Sequence, residues 1–202
     1  MSQPPITFSD RMRTLTAGLM TRIGLTVHQA GIHPDAITIL GLVLVAIAAF
    51  CIGKGELQLG GLLLLLGLPF DALDGAVARA MQRKGRFGEM LDSTLDRYAD
   101  GFIFAALSYH FAVLHNLNPL LLAQAALVGS LLVSYTRARA LGVGLDVRIG
   151  LFTRLERTLV ILLMLLVPDL LIPGLWILAI GTHFTAMQRL WFVYKTLKQK
   201  GE

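Results

Sequence analysis

Cysteine is nearly absent from this 202-residue chain, with Cys51 the single example. One thiol excludes an internal disulfide and a cysteine-based metal cluster. Cys51 itself reads as a small, buried apolar residue. Charge is also scarce. Asp, Glu, Lys and Arg together make up 15% of the residues, against roughly 25% in a soluble domain. No segment alternates apolar and polar residues over the ~10 positions that a membrane β-strand needs. The N-terminal "MSQPPITFSDRMR" lacks the apolar core of a signal peptide, so no cleaved leader is expected. The five histidines, His28, His33, His110, His115 and His183, fall at no metal-ligand spacing.

What is present is apolar and comes in long blocks. Hydrophobic residues reach 55%, and the mean hydropathy is +0.67. Long blocks without alternation predict an all-α, polytopic membrane protein. Six spans are expected. They cover about Ala36 to Ile52, Leu57 past Phe70 towards Met81, Glu89 to Leu114, Leu117 to Ala140, Arg154 to just before "PDLLIP", and Pro173 to Lys195. Residues 33–202 then form one transmembrane domain. Residues 1–32 precede it as a juxtamembrane segment. Within that segment Met12, Leu15, Leu19, Ile23 and Val27 recur at helical spacing, with Arg11, Arg13 and Arg22 elsewhere. This predicts an amphipathic helix on the membrane surface over Asp10 to Ala30.

The net charge of +5 fits a membrane face better than nucleic acid, given the apolar blocks. Six spans place both termini and the 2–3 and 4–5 loops on one side. Of the 18 Lys and Arg, only Lys54 falls in a loop on the other side. The positive-inside rule therefore predicts an inner-membrane protein with its termini in the cytoplasm.

Against this apolar background stands "DALDGAVARAMQRKGRFGEMLDSTLD", residues 71–96. Asp71 and Asp74 are spaced i,i+3, and Asp92 and Asp96 i,i+4, so each pair shares one helix face. Leu57 to Phe70 makes only about 21 Å of helix, short of the ~30 Å hydrocarbon core. The second span must therefore continue through Asp71 and Asp74. In an antiparallel hairpin around "QRKGRFG", Asp71 comes level with Asp96 and Asp74 with Asp92. Two like charges ~4 Å apart repel by about 4 kcal/mol even at an effective dielectric of 20. Convergent carboxylates thus require protons or cations. Oxygen-only ligands suit Mg²⁺, Mn²⁺ or Ca²⁺ and not zinc, and two such ions are suited to clamping a diphosphate. Asp100, one turn after Asp96, reads as a supporting or packing residue rather than a fifth ligand.

The run D-A-L-D-G-A-V-A-R, eight further residues and then G-E-M-L-D-S-T-L-D resembles the signature of the CDP-alcohol phosphotransferases. That signature is DxxDGxxAR followed by GxxxDxxxD, and every fixed position is present. The resemblance implies transfer of a substituted phosphate from a CDP-linked lipid, CDP-diacylglycerol or an archaeol-type equivalent, to an alcohol, with release of CMP. It implies two Mg²⁺ (or Mn²⁺) ions on Asp71, Asp74, Asp92 and Asp96, with Asp96 as general base. It also implies nucleotide contacts at Gly75, Arg79 and Gly88, and a homodimer. "HPDAIT" resembles the family's PNxxT element. Thr38 is retained there, and Asp35 stands in place of Asn.

Arginines bear on the acceptor. "SYTRARA" brings Ser134, Arg137 and Arg139, "TRLER" brings Arg154 and Arg157, and Arg189 lies inside an apolar span. Guanidinium groups suit bidentate phosphate recognition, which predicts a small phosphorylated polyol as acceptor. These segments resemble those of phosphatidylinositol-phosphate synthases, which implies inositol 1-phosphate. Leu141 stands where that group often has Glu, and Thr153 where it tends to be acidic, so glycerol 3-phosphate is the other candidate. Two other classes also use intramembrane aspartates: prenyltransferases, which hold a diphosphate on Mg²⁺, and cation transporters. The Gly and Ala-Arg between the aspartates favour the CDP reading, as does the absence of a visible internal repeat.

Overall fold

The computed structural model describes residues 33–80 and 86–201, with Thr26 and Gly31 besides. Between Asp71 and Arg86 it describes the side chains of Leu73 and Val77 only. The predicted surface helix over Asp10 to Ala30 lies outside the described residues, as do Met81 and the "QRKG" of the hairpin turn.

The described residues are all-helical, with no strand. Six α-helices follow in order: α1 (Pro34–Gly53), α2 (Leu57–Ala80), α3 (Arg86–Val113), α4 (Leu117–Gly142), α5 (Arg154–Leu166) and α6 (Leu171–Lys200), with a 3₁₀ turn at Pro168–Leu170. Three helical stretches are long and apolar enough to cross a membrane: Pro34–Gly53, Leu117–Gly142 and Pro168–Lys200. Leu57–Phe70 is apolar but shorter.

Local chemistry accounts for the helix ends. Pro34 opens α1, where its missing N–H costs nothing, and Asp35 faces the positive end of the helix dipole. Three helices close on a residue with left-handed φ, where the next N–H reaches back five residues. Glu56 N–H donates to Cys51 O at 3.0 Å after Gly55, Asn116 to Phe111 O at 2.9 Å after His115, and Leu145 to Ala140 O at 2.9 Å after Gly144. Glycine takes that conformation freely at 55 and 144, whereas His115 does so at φ 53. "TRLE" has the spacing of a capping box. Thr153 is the N-cap of α5, and its hydroxyl bonds the Glu156 carboxylate.

Several boundaries differ from the expected ones. α6 starts two residues before Pro173 and runs five residues past Lys195 to Lys200, where Gly201 ends it at φ 82. The polar tail "TLKQK" is compatible with helix, so hydropathy marks the end of the apolar stretch and not of the helix. α2 is continuous through Pro69, although proline removes the hydrogen bond to the Leu65 carbonyl. Cys51, expected to be buried, is partly exposed. Arg148 pairs with Asp146 at 2.7 Å in the loop before α5.

The chain divides into two compact units. One comprises Met1–Leu44 and Leu66–Asp96. Within it α1 and α2 run close together: a Cβ on Gly41 would lie 3.4 Å from Phe70 Cβ, and one on Gly67 3.6 Å from Leu44 Cδ2. The other unit comprises Val45–Leu65 and Arg97–Glu202. Its core joins Ile52, Phe104, Leu107, Met164, Leu165 and Leu175. Glycines permit the close approaches there. A Cβ on Gly60 would meet Ile52 Cγ1 at 2.5 Å, and one on Gly174 would meet Met164 Cβ at 2.6 Å. Gly129 of α4 has no room for a Cβ beside Thr182 of α6, nor has Gly181 beside Phe152. Gln124 donates to the Ser108 hydroxyl at 2.7 Å, which ties α4 to α3 across an apolar interface.

Candidate functional site

The aspartate motif falls on two helices of the first unit. Asp71, Asp74, Gly75 and Arg79 occupy the last turns of α2, and Gly88, Asp92 and Asp96 the first turns of α3. The α2 side chains lie outside the described ones. Asp92 and Asp96 stand one turn apart on α3, and both are partly buried. Both have partners. Next to them Ser93 and Thr94 turn back on their own helix, donating to Met90 O at 3.0 and 2.7 Å. Among the described side chains no three carboxylates, imidazoles or thiols converge. The donor set of the motif is nonetheless carboxylate oxygen throughout, which fits hard divalent ions.

At the start of α1, the Thr38 hydroxyl donates to Pro34 O at 3.1 Å, and His33 Nδ1 lies 3.4 Å from Asp35 Oδ2. Thr38 thus serves its own helix in this structure, whatever else it meets.

The second unit holds the arginines, and the structure separates them. Arg157 and Arg189 are buried, each 4% exposed. Arg137, Arg139 and Arg154 are exposed, and Ser134 is partly buried. Arg154 has a partner. Arg139 folds along its own helix end, where Gly142 approaches its Nη1. Arg189 donates from Nε to Ile149 O at 2.9 Å and from Nη1 to Val133 O. It therefore joins α6 to α4 and to the 143–153 loop. Thr185, one turn earlier, accepts from Phe152 N–H at 3.0 Å and donates to Gly181 O at 2.8 Å, which pins the end of the same loop. Arg137 and Arg157 lie near enough to Arg189 for their charges to act on it. Three of the predicted arginines are thus brought together.

Asp100, read as a supporting or packing residue, has a partner that sequence reasoning did not name. Its Oδ2 accepts from Arg157 Nη2 at 3.0 Å. The i,i+4 step from Asp96 signalled a shared helix but not this partner, which lies 57 residues away. Gln188, beside Arg189, has a buried carbonyl oxygen with no hydrogen-bond partner among the described residues, and Arg157 Nε is likewise unpartnered.

Comparison with known proteins bears on this layout of aspartate-bearing helices and clustered arginines. The CDP-alcohol phosphatidyltransferase family matches residues 31–188. A phosphatidylinositol phosphate synthase of Mycobacterium tuberculosis is 35% identical over 192 residues, covering 90% of this chain and 88% of that one. An archaetidylinositol phosphate synthase of Pyrococcus horikoshii is 34% identical over 180 residues, covering 89% and 93%. The crystal structure of the M. tuberculosis phosphatidylinositol phosphate synthase with CDP-DAG bound superposes with a TM-score of 0.82 at 33% identity, covering 87% of this chain and 93% of that one. A second crystal structure of that synthase, with a TM-score of 0.81 at 33% identity and coverage of 87% and 88%, holds manganese and citrate. The match spans both the aspartate helices and the arginine helices, and the chain belongs to the CDP-alcohol phosphatidyltransferase family.

Proposed function

We propose that this chain transfers the phosphatidyl group of CDP-diacylglycerol to inositol 1-phosphate and releases CMP. The observation that carries the reading is the complete aspartate motif on α2 and α3 in a chain related over nearly its full length to inositol-phosphate-using synthases. The arginine cluster favours a phosphorylated acceptor over a plain alcohol.

Asp71, Asp74, Asp92 and Asp96 would hold two divalent ions, Mg²⁺ or Mn²⁺. When bound, the ions neutralise the diphosphate and stabilise charge on the leaving CMP. Asp96 takes the proton of the attacking hydroxyl. Gly75, Arg79, Gly88 and Thr38 border the nucleotide. Arg137, Arg157 and Arg189 hold the acceptor phosphate, with Ser134, Arg139 and Arg154 at its edge. In-line attack then depends on positioning rather than on a covalent enzyme intermediate.

The reading includes six spans, both termini in the cytoplasm, an amphipathic helix before the first span, and a homodimer. α2 and α3 have 24 and 28 residues, more than the ~20 a span requires. Their charges gather at one end, as expected for helices that emerge at an interface. α5 is shorter, with 13 residues, about 20 Å.

The test is mass spectrometry of the lipid product from purified protein, CDP-diacylglycerol and a panel of acceptors. Inositol 1-phosphate should give phosphatidylinositol phosphate. A product from glycerol 3-phosphate with none from inositol 1-phosphate would replace the proposed acceptor.

A further inference from the structure

We propose that Asp100 is a positioning residue for acceptor recognition: it anchors buried Arg157 so that the free end of its guanidinium group faces the acceptor phosphate. The inference rests on the acceptor reading above and adds a residue to it.

Arg157 enters at the first turn of α5 and is almost fully buried. A buried cation needs a counter-ion. Asp100 of α3, with a side chain 17% exposed, supplies it through one oxygen at 3.0 Å. The bond fixes Nη2 and leaves Nε buried without a partner. Arg189 has two of its donor groups on backbone carbonyls of Ile149 and Val133, which fixes its plane. Arg137 is exposed and makes no hydrogen bond or ion pair among the described residues. A buried, unpartnered N–H on a side chain already fixed at its other end is the kind of donor that a bound oxyanion completes.

Neutralising Asp100 would free Arg157 to turn away from the like-charged Arg189. Affinity for the acceptor would fall, and the donor site would be spared. The experiment measures KM separately for inositol 1-phosphate and for CDP-diacylglycerol, in the wild type and in Asp100→Asn. Asparagine keeps the size and an acceptor oxygen but not the charge. The expected result is an acceptor KM raised about tenfold, the change that follows from losing charge assistance in one such bond, with the donor KM within about twofold. If neither KM moves, or both rise together with a lower melting temperature, Asp100 is a packing residue and the proposal is overturned.

If Asp100→Asn does not fold, the double variant Asp100→Leu/Arg157→Leu replaces the pair by apolar residues, a change often neutral for stability. It should still bind CDP-diacylglycerol in a calorimetric titration but lose thermal protection by inositol 1-phosphate. Retained protection would overturn the proposal. A wild-type enzyme that uses a different phosphorylated acceptor corrects the acceptor reading alone, and the same KM ratio is then read with that acceptor. Use of unphosphorylated alcohols only would overturn both.

Discussion

Asp92 and Asp96 show what one residue type does in an apolar helix. Each is partly buried on α3, where a carboxylate has less water to stabilise it than in bulk. Cations or donors must do that instead, and both side chains are partnered. The Asp96 carboxylate is the proposed base, and general-base catalysis contributes about 10²- to 10⁴-fold. Asp96→Asn should therefore lower the rate of CMP release by at least about a hundredfold, with an unchanged melting profile. Turnover near that of the wild type would remove Asp96 from the role of base. The aspartates were legible because charge at helical spacing inside apolar blocks has few structural uses. The arginines were less so. Arg189 bonds two backbone carbonyls, and carbonyls leave no mark in a sequence. The Asp100–Arg157 pair joins α3 to α5, a contact that depends on how those helices pack.

At the scale of the element, small residues decide how near the helices come. α4 and α6 meet at Gly129, where a side chain would run into Thr182 and His183. In a bilayer, helix association relies on such close packing because lipid is as apolar as the side chains. Gly129→Val should lower stability by about 1–3 kcal/mol, the usual cost of overpacking, read as a lower melting temperature in detergent. An unchanged melting temperature would mean that α4 and α6 do not depend on this contact. Helix existence was legible from hydropathy for α1, α4 and α6, whose apolar stretches are long enough to span. Helix ends were less legible. The left-handed turn at His115 follows from backbone geometry. Four of the five extra residues of α6 are polar, and apolar periodicity does not register them.

Across the whole molecule, the distribution of Lys and Arg carries the topology. Lys54 lies in the turn after α1, and Lys198 in the last turn of α6. The six spans proposed for the chain would put them on opposite faces of the membrane. In a Cys51→Ser background, Lys54→Cys and Lys198→Cys in right-side-out vesicles should differ: only Cys at 54 should react with an impermeant maleimide. Labelling of both positions, or of 198 alone, would contradict the proposed orientation.

The central claim is that the aspartate pairs of α2 and α3 serve phosphatidyl transfer from a CDP-linked lipid. The most direct measurement is CMP release by the purified protein from CDP-diacylglycerol, with and without inositol 1-phosphate, in Mg²⁺ or Mn²⁺ and after chelation. The account predicts CMP in equal amount to the phosphatidylinositol phosphate formed, only when both acceptor and divalent ion are present. CMP release that needs no acceptor, or that persists undiminished after chelation, would contradict it.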